Sequence, residues 1–218
     1  MNRPAAPPRV LLASTNPAKI DRLRACLAGH AFQFSEIDDL PRSAAPPESG
    51  ETHRLIAESK ALAWARIGGC LAIASDGGMD IPALGPRWNS LFTRRAAGTD
   101  VTDQDRITHL LTLMDRVAAP ADRAATWREA LTVAHPDGIV RTWETAGPTG
   151  LIRREPSQMR IEGFWLASLW HFERFNKAYT ELSEDELEQI GDPWRRLAAN
   201  VQAWLSAGGY TQLTATVR

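Results

Sequence analysis

The sequence lacks most of the features that would assign it at once. Cysteine occurs only at Cys26 and Cys70 in 218 residues, in no metal or redox spacing, so reduced thiols or at most one bridge are expected. An excess of either charge is missing too. With 25 Lys and Arg against 26 Asp and Glu the net charge is −1, so no global field attracts nucleic acid and a polyanion needs a local cluster of cations. No apolar run reaches membrane-spanning length, and residues 1–8 lack the apolar segment of a secretory signal, so the cytoplasm is the expected location, with no membrane partner. The five histidines, His30, His53, His109, His135 and His171, show no ligand spacing, and no Gly-x-Ser-x-Gly elbow occurs. Zinc hydrolase and serine hydrolase readings are weak on that ground, and the missing Gly-x-x-x-x-Gly-Lys-Ser/Thr pattern excludes a P-loop.

What is present is an ordinary globular composition, 44% hydrophobic and 23% charged, long enough for one large domain or two small lobes. Residues 1–8 are proline-rich and read as a flexible N-terminal arm, and 9–218 as a single two-lobed domain. Residues 9–14 read as a buried first strand, and 15–19 as a tight turn into a helix that Asn16 or Thr15 caps, Pro17 begins and Gly29 stops. A short strand over 32–37 and a loop over 39–50 follow. A helix from Thr52 to about Ile67 carries His53, Ile56, Ala57 and Lys60 at helical spacing.

The chain is organised around residues 71–84, where the apolar run Leu71-Ala72-Ile73-Ala74 ends on Ser75-Asp76-Gly77-Gly78. The run reads as a buried strand and the Ser-Asp-Gly-Gly as a turn at its carboxyl end, where open α/β sheets bind ligands. There Asp76 could hold a metal or accept a proton from water, while the glycines bring backbone N–H groups to an anion. The bland alternative is an ordinary Asp-Gly turn.

Beyond it, 86–90 is a loop and Thr102-Asp103-Gln104-Asp105 a capping box opening a helix. Residues 123–134 and 139–146 flank a hairpin turn at His135-Pro136-Asp137-Gly138, 150–156 adds a short strand, and helices cover 183–190 and 194–207. Strands alternate with helices early and form hairpins later, which predicts a mixed sheet in two lobes. Of the eight tryptophans, Trp127, Trp143, Trp165, Trp170 and Trp204 read as core, whereas Trp88 and Trp194 sit in polar surroundings suited to stacking on a base. Arg94-Arg95 and Arg153-Arg154 read as exposed charge.

Three stretches could share a site. The turn Ser14-Thr15-Asn16 at a helix N-terminus offers donors and a favourable dipole to phosphate, and Lys19 adds a full charge. Lys60 could supply a second cation, and Glu48 and Glu51 could join Asp76 around a divalent ion. Taken singly, each is more simply a cap, a solvated lysine or a solvated loop.

In this order these stretches resemble the inosine triphosphate pyrophosphatase family. The likeness runs from Val10 to Leu205 through Ser14-Thr15-Asn16-Pro17-Ala18-Lys19, Glu48-Ser49-Gly50-Glu51-Thr52, Lys60-Ala61, Ser75-Asp76-Gly77-Gly78, Thr93-Arg94-Arg95, Thr102-Asp103-Gln104, 150–156 and Glu181-Leu182-Ser183. The resemblance implies an elongated α/β fold with a mixed central sheet flanked by helices, a cleft between two lobes, Mg²⁺ dependence, a nucleoside triphosphate ligand and a homodimer. Carried over, Asp76 is the catalytic carboxylate and a metal ligand, with Glu48 the second ligand. Ser14, Thr15, Asn16, Lys19, Lys60 and Gly77 face the triphosphate.

The departures are as informative. Ser75 stands where the family has an acid, Gly77 where it has a serine, Ile56 where it has an asparagine and Leu187 where it has a lysine. Phe164-Trp165-Leu166-Ala167 replaces the base-reading Phe-Gly-Tyr-Asp, and of Ser-His-Arg only Arg195 survives, slightly shifted. Phe164, Trp165 and Arg195 are therefore the base-end candidates, and inosine specificity does not carry over. The expected activity is Mg²⁺-dependent hydrolysis of an NTP or dNTP, non-standard purines included, to monophosphate and pyrophosphate. The rival is a nucleotide-binding sensor that has lost turnover and signals to an effector partner.

Overall fold

Leu71–Asp80 forms β3, a ten-residue strand in a seven-stranded sheet ordered β2-β1-β3-β4-β5-β6-β7. The computed structural model describes residues 6–40, 50–138 and 140–209. The other strands are β1 (Arg9–Leu12), β2 (Gln33–Glu36), β4 (Ala124–Ala134), β5 (Val140–Ile152), β6 (Trp170–Phe172) and β7 (Lys177–Ala178). Around them lie α1 (Pro17–Cys26), α2 (His53–Gly68), α3 (Asp103–Met114), α4 (Glu184–Ile190) and α5 (Pro193–Ser206). The sheet is mixed, since β2, β1 and β3 run parallel while β5, β6 and β7 pair antiparallel. Among the described residues no helix is long and apolar enough to cross a membrane.

The chain divides into two units, the first drawn from 1–76, 130–144 and 196–218, the second from 77–129 and 145–195. In the first, Asn16 caps α1 by accepting the Lys19 N–H, with Pro17 at the first helical position. Thr52 caps α2 through the Leu55 N–H, and Gly69, at φ 58°, ends it in the left-handed conformation that glycine adopts without a Cβ penalty. Leu11, Ala13, Ala61, Trp64, Ala65, Ala72, Ala74 and Ala134 pack together, the alanines allowing close approach. Both cysteines are free thiols.

The second unit has an aromatic core in which Phe164 meets Trp127 and Tyr179 edge-on, at centroid separations of 4.8 and 5.4 Å. The predicted capping box opens α3, as Thr102 and Asp105 bond each other's backbone N–H groups. Buried Arg123 donates to the carbonyls of Ile152, Met114, Val117 and Arg153, so its desolvation is offset by neutral acceptors. That desolvation, and then Arg154, lower its pKa, while Asp115 raises it.

Four sequence expectations need correction. The Ser75-Asp76-Gly77-Gly78 stretch is strand, not turn, because β3 continues to Asp80. Its glycines serve close approach: a Cβ on Gly77 would fall against the Glu129 carboxylate and 2.7 Å from the Arg128 carbonyl oxygen, and one on Gly78 against the Ser90 carbonyl. Of the strand expected at 150–156, only 150–152 is strand, as the end of β5, which passes through Gly147 and Pro148 unbroken, and 153–156 is not strand. The loop expected at 86–90 contains helical turns, since 3-10 segments cover Pro82–Arg87 and Ser90–Phe92. Trp88 and Trp194 are buried, and the Trp88 indole N–H bonds the Met79 carbonyl at 2.6 Å, so neither ring is presented for stacking.

Candidate active site at the ends of β1 and β3

The first unit carries a topological switch point. From β1 the chain passes through α1 to β2 on one side, then through α2 to β3 on the other, so β1 lies between β2 and β3. In parallel α/β sheets the carboxyl ends of the two strands that flank such a reversal bind ligands. Leu12 is in register with Ile73, and the Ala13 N–H donates to the Ile73 carbonyl at 2.9 Å. One register therefore brings 13–16, leaving β1, and 74–76, near the middle of β3, to the same end.

Within that turn, the Asn16 N–H donates to Ser14 Oγ at 3.1 Å, and the Lys19 N–H donates to Asn16 Oδ1 at 3.3 Å. Ser14 and Asn16 are thus buried capping groups that shape the turn, while Thr15 is exposed and Lys19 half-buried. The positive end of the α1 dipole and the Lys19 ammonium lie in the first turn of this helix. Lys60 is half-buried on α2, two turns beyond His53 on the same face, roughly 10 Å along the axis at 1.5 Å per residue. Lys19 and Lys60 are two of only three lysines in the sequence, where arginine supplies the other cations. A compact ammonium on a flexible stem suits a phosphate as a point charge.

Asp76 is held by a partner that motif reading missed. His53, the first residue of α2, places Nδ1 2.5 Å from Asp76 Oδ2, with side-chain exposures of 10% and 15%. An ionised carboxylate can only accept, so the imidazole donates from Nδ1. The signal available beforehand was that His53 shares the α2 stripe with Lys60. Beside Asp76, Ser75 is 2% exposed and its Oγ has no hydrogen-bond partner among the described residues. Ile56, in the asparagine's place, is buried.

The predicted second metal ligand, Glu48, lies outside the described residues, and Glu51 is exposed. Among the described residues no three acidic, imidazole or thiol side chains gather into a cage for a metal. Asp76 nevertheless fits a hard divalent cation, because Mg²⁺ commonly keeps several waters and takes one or two carboxylates together with substrate phosphates.

The remaining candidates lie in the second unit. Gly77 sits within β3 rather than in an open turn, and the approach of Glu129 accounts for its lack of a side chain. Phe164 and Trp165, the base-end candidates, are both buried within the aromatic core cluster. Leu187 packs against that core as well. Arg195 is partly exposed and paired with Glu184, while Asp192 caps the start of α5 through the Trp194 and Arg195 N–H groups.

The Ham1 family model matches residues 10–199. This chain belongs to the Ham1 family. The family's solved Staphylococcus aureus protein superimposes with a TM-score of 0.73 at 24% identity, covering 92% of this chain and 99% of that one. A Coxiella burnetii HAM1 protein gives 0.71 at 24%, covering 89% and 98%. These likenesses show the fold, a mixed α/β sheet with flanking helices. Among proteins named dITP/XTP pyrophosphatase, that of Desulforamulus reducens is 30% identical over 184 residues, 84% of this chain and 88% of its own. That of Desulfotalea psychrophila is 26% identical over 191 residues, 88% and 82%. Ham1 membership agrees with the resemblance read from the ordered motifs.

Proposed function

We propose that this Ham1 protein hydrolyses a nucleoside triphosphate between the α and β phosphates, releasing monophosphate and pyrophosphate. One observation carries the reading: the register of β1 and β3 brings Asp76 to the same strand ends as the capped turn of α1 and Lys19, in a chain whose relatives are named dITP/XTP pyrophosphatase. Thr15, Lys19, Lys60 and the first turn of α1 bind the phosphate chain and offset its charge, while Ser14 and Asn16 keep the turn in shape. Asp76, with Glu48 as second ligand, would hold Mg²⁺. When bound, that ion polarises a phosphoryl oxygen and favours ionisation of the attacking water. Asp76 orients that water and draws on its proton as it attacks the α-phosphorus and the bond to the β-phosphate oxygen breaks. Phe164, Trp165 and Arg195 remain the base-end candidates, of which Arg195 is the one partly exposed, and no base is assigned. A homodimer in the cytoplasm completes the reading, and sedimentation of the purified chain tests the first part.

The test is a panel of natural and deaminated triphosphates with Mg²⁺, read for pyrophosphate release and thermal shift. Release from at least one triphosphate is expected. Stabilisation without release favours the second reading, a nucleotide sensor, whose support is the Ser75 hydroxyl where the family has an acid, buried and without a partner among the described residues.

A further inference from the structure

We propose that His53 is a positioning residue that orients the Asp76 carboxylate toward its metal, an inference that rests on the functional reading above. The first turn of α2 is set by the Thr52 cap, and the face that continues from His53 through Ile56 and Ala57 is buried. The imidazole is therefore carried at the start of a capped helix, and with 10% of its side chain exposed it has little room to turn away from Asp76. Its bond to Oδ2 holds one oxygen of the carboxylate, and Oδ1 is the oxygen that would meet a cation. The side chain next to Asp76 in the strand, Ser75, is a buried hydroxyl without a hydrogen-bond partner among the described residues. Position 75 itself therefore supplies no acid to hold its neighbour in place. In this chain the ordering of the carboxylate falls to a ring 23 positions earlier, across from the strand. A merely structural histidine would instead fill space, and its shape rather than its N–H would matter.

The experiment compares wild type with His53→Leu and His53→Asn. Asparagine sets an N–H where Nδ1–H stands, and leucine fills the space without a donor. Binding of Mn²⁺ to the nucleotide-free protein, counted by electron paramagnetic resonance, is read beside kcat and KM for the best triphosphate of the panel. His53→Leu is expected to weaken Mn²⁺ binding and lower kcat by roughly 10–100-fold each, the usual effect of removing an outer-shell partner. KM should move far less, and His53→Asn should recover most of both losses. Two results overturn the assignment: His53→Leu binding Mn²⁺ as wild type does, or leucine and asparagine impairing it equally. Should His53→Leu fail to fold, His53→Gln replaces it, because its amide reaches the place of Nε2 rather than Nδ1 and should not rescue. Wild type that binds Mn²⁺ tightly yet releases no pyrophosphate sinks the functional reading instead, and the metal titration still decides the role of His53.

Discussion

The two units place polar groups around the sheet in opposite ways. In the first, Ser14 and Asn16 lie just past the carboxyl end of β1 and Asp76 just past the part of β3 that pairs with it, where Asn16 caps α1 and His53 bonds Asp76. In the second, Arg123 is buried against four carbonyls, and Glu129, 1% exposed, accepts from the Trp127 indole N–H at 2.7 Å. Asp192 likewise accepts from the Tyr179 hydroxyl at 2.5 Å and from two backbone N–H groups. Polar side chains consumed inside a core build structure. Those beside helix N-termini in the first unit are the ones the proposed function gives to a ligand, and burial alone does not separate the two kinds.

The largest test of this contrast is Asp76→Asn. It should lower pyrophosphate release by roughly 10²–10⁴-fold, as loss of a general base does, with an unchanged melting temperature. A large fall in melting temperature would put Asp76 with the structural carboxylates. Arg123→Met should do the reverse, stripping donors from buried carbonyls and destabilising by about 3 kcal/mol or more in urea unfolding, while activity per folded molecule holds. Gly78→Ala follows, since its methyl would meet the Ser90 backbone and the Thr93 hydroxyl at 2.7 Å. Overpacking of this kind costs about 1–3 kcal/mol.

Smaller effects sharpen the picture. Thr102→Ala removes the α3 cap and should cost about 1 kcal/mol in the second unit without touching kcat. Acidification offers a milder probe. Desolvation, and then Arg153, lower the pKa of His171 from its ordinary 6.5, so the folded state resists its protonation more than the unfolded chain does. Stability from this source is complete above pH 6.5 and is lost as pH falls through the folded pKa. The urea midpoint should begin to drop below that pH, and His171→Gln should flatten this part of the profile.

Much of the first unit was legible because its signals are local. Asn16, Pro17 and Thr52 announce helix starts by their own chemistry, and the apolar runs at β1 and β3 have no other use in a chain with little else so continuous. Asp76, Lys19 and Lys60 were named from the order of short motifs. The Gly77-Gly78 pair was misread, since the same two residues that mark a turn also permit a strand to be approached closely, and the approaching groups, Glu129 and Ser90, are remote in sequence. Trp88 was misread for a related reason: its neighbours along the chain are polar, but its indole reaches the Met79 carbonyl. His53 was placed on the same face as Lys60 by its spacing, but its bond to Asp76 joins residues 23 apart and had no local signal.

By itself, then, the order of residues determined where helices begin, which runs become strands and which side chains could serve phosphate, because caps, φ preferences and apolar periodicity act over a few residues. Only the tertiary structure decided that β3 runs on through its glycines, that Phe164 and Trp165 belong to a core, and that an imidazole from α2 grips the carboxylate of Asp76. Those outcomes depend on strand register and on contacts between distant segments, and a hydrogen bond acts only once folding has brought its two atoms within about 3 Å.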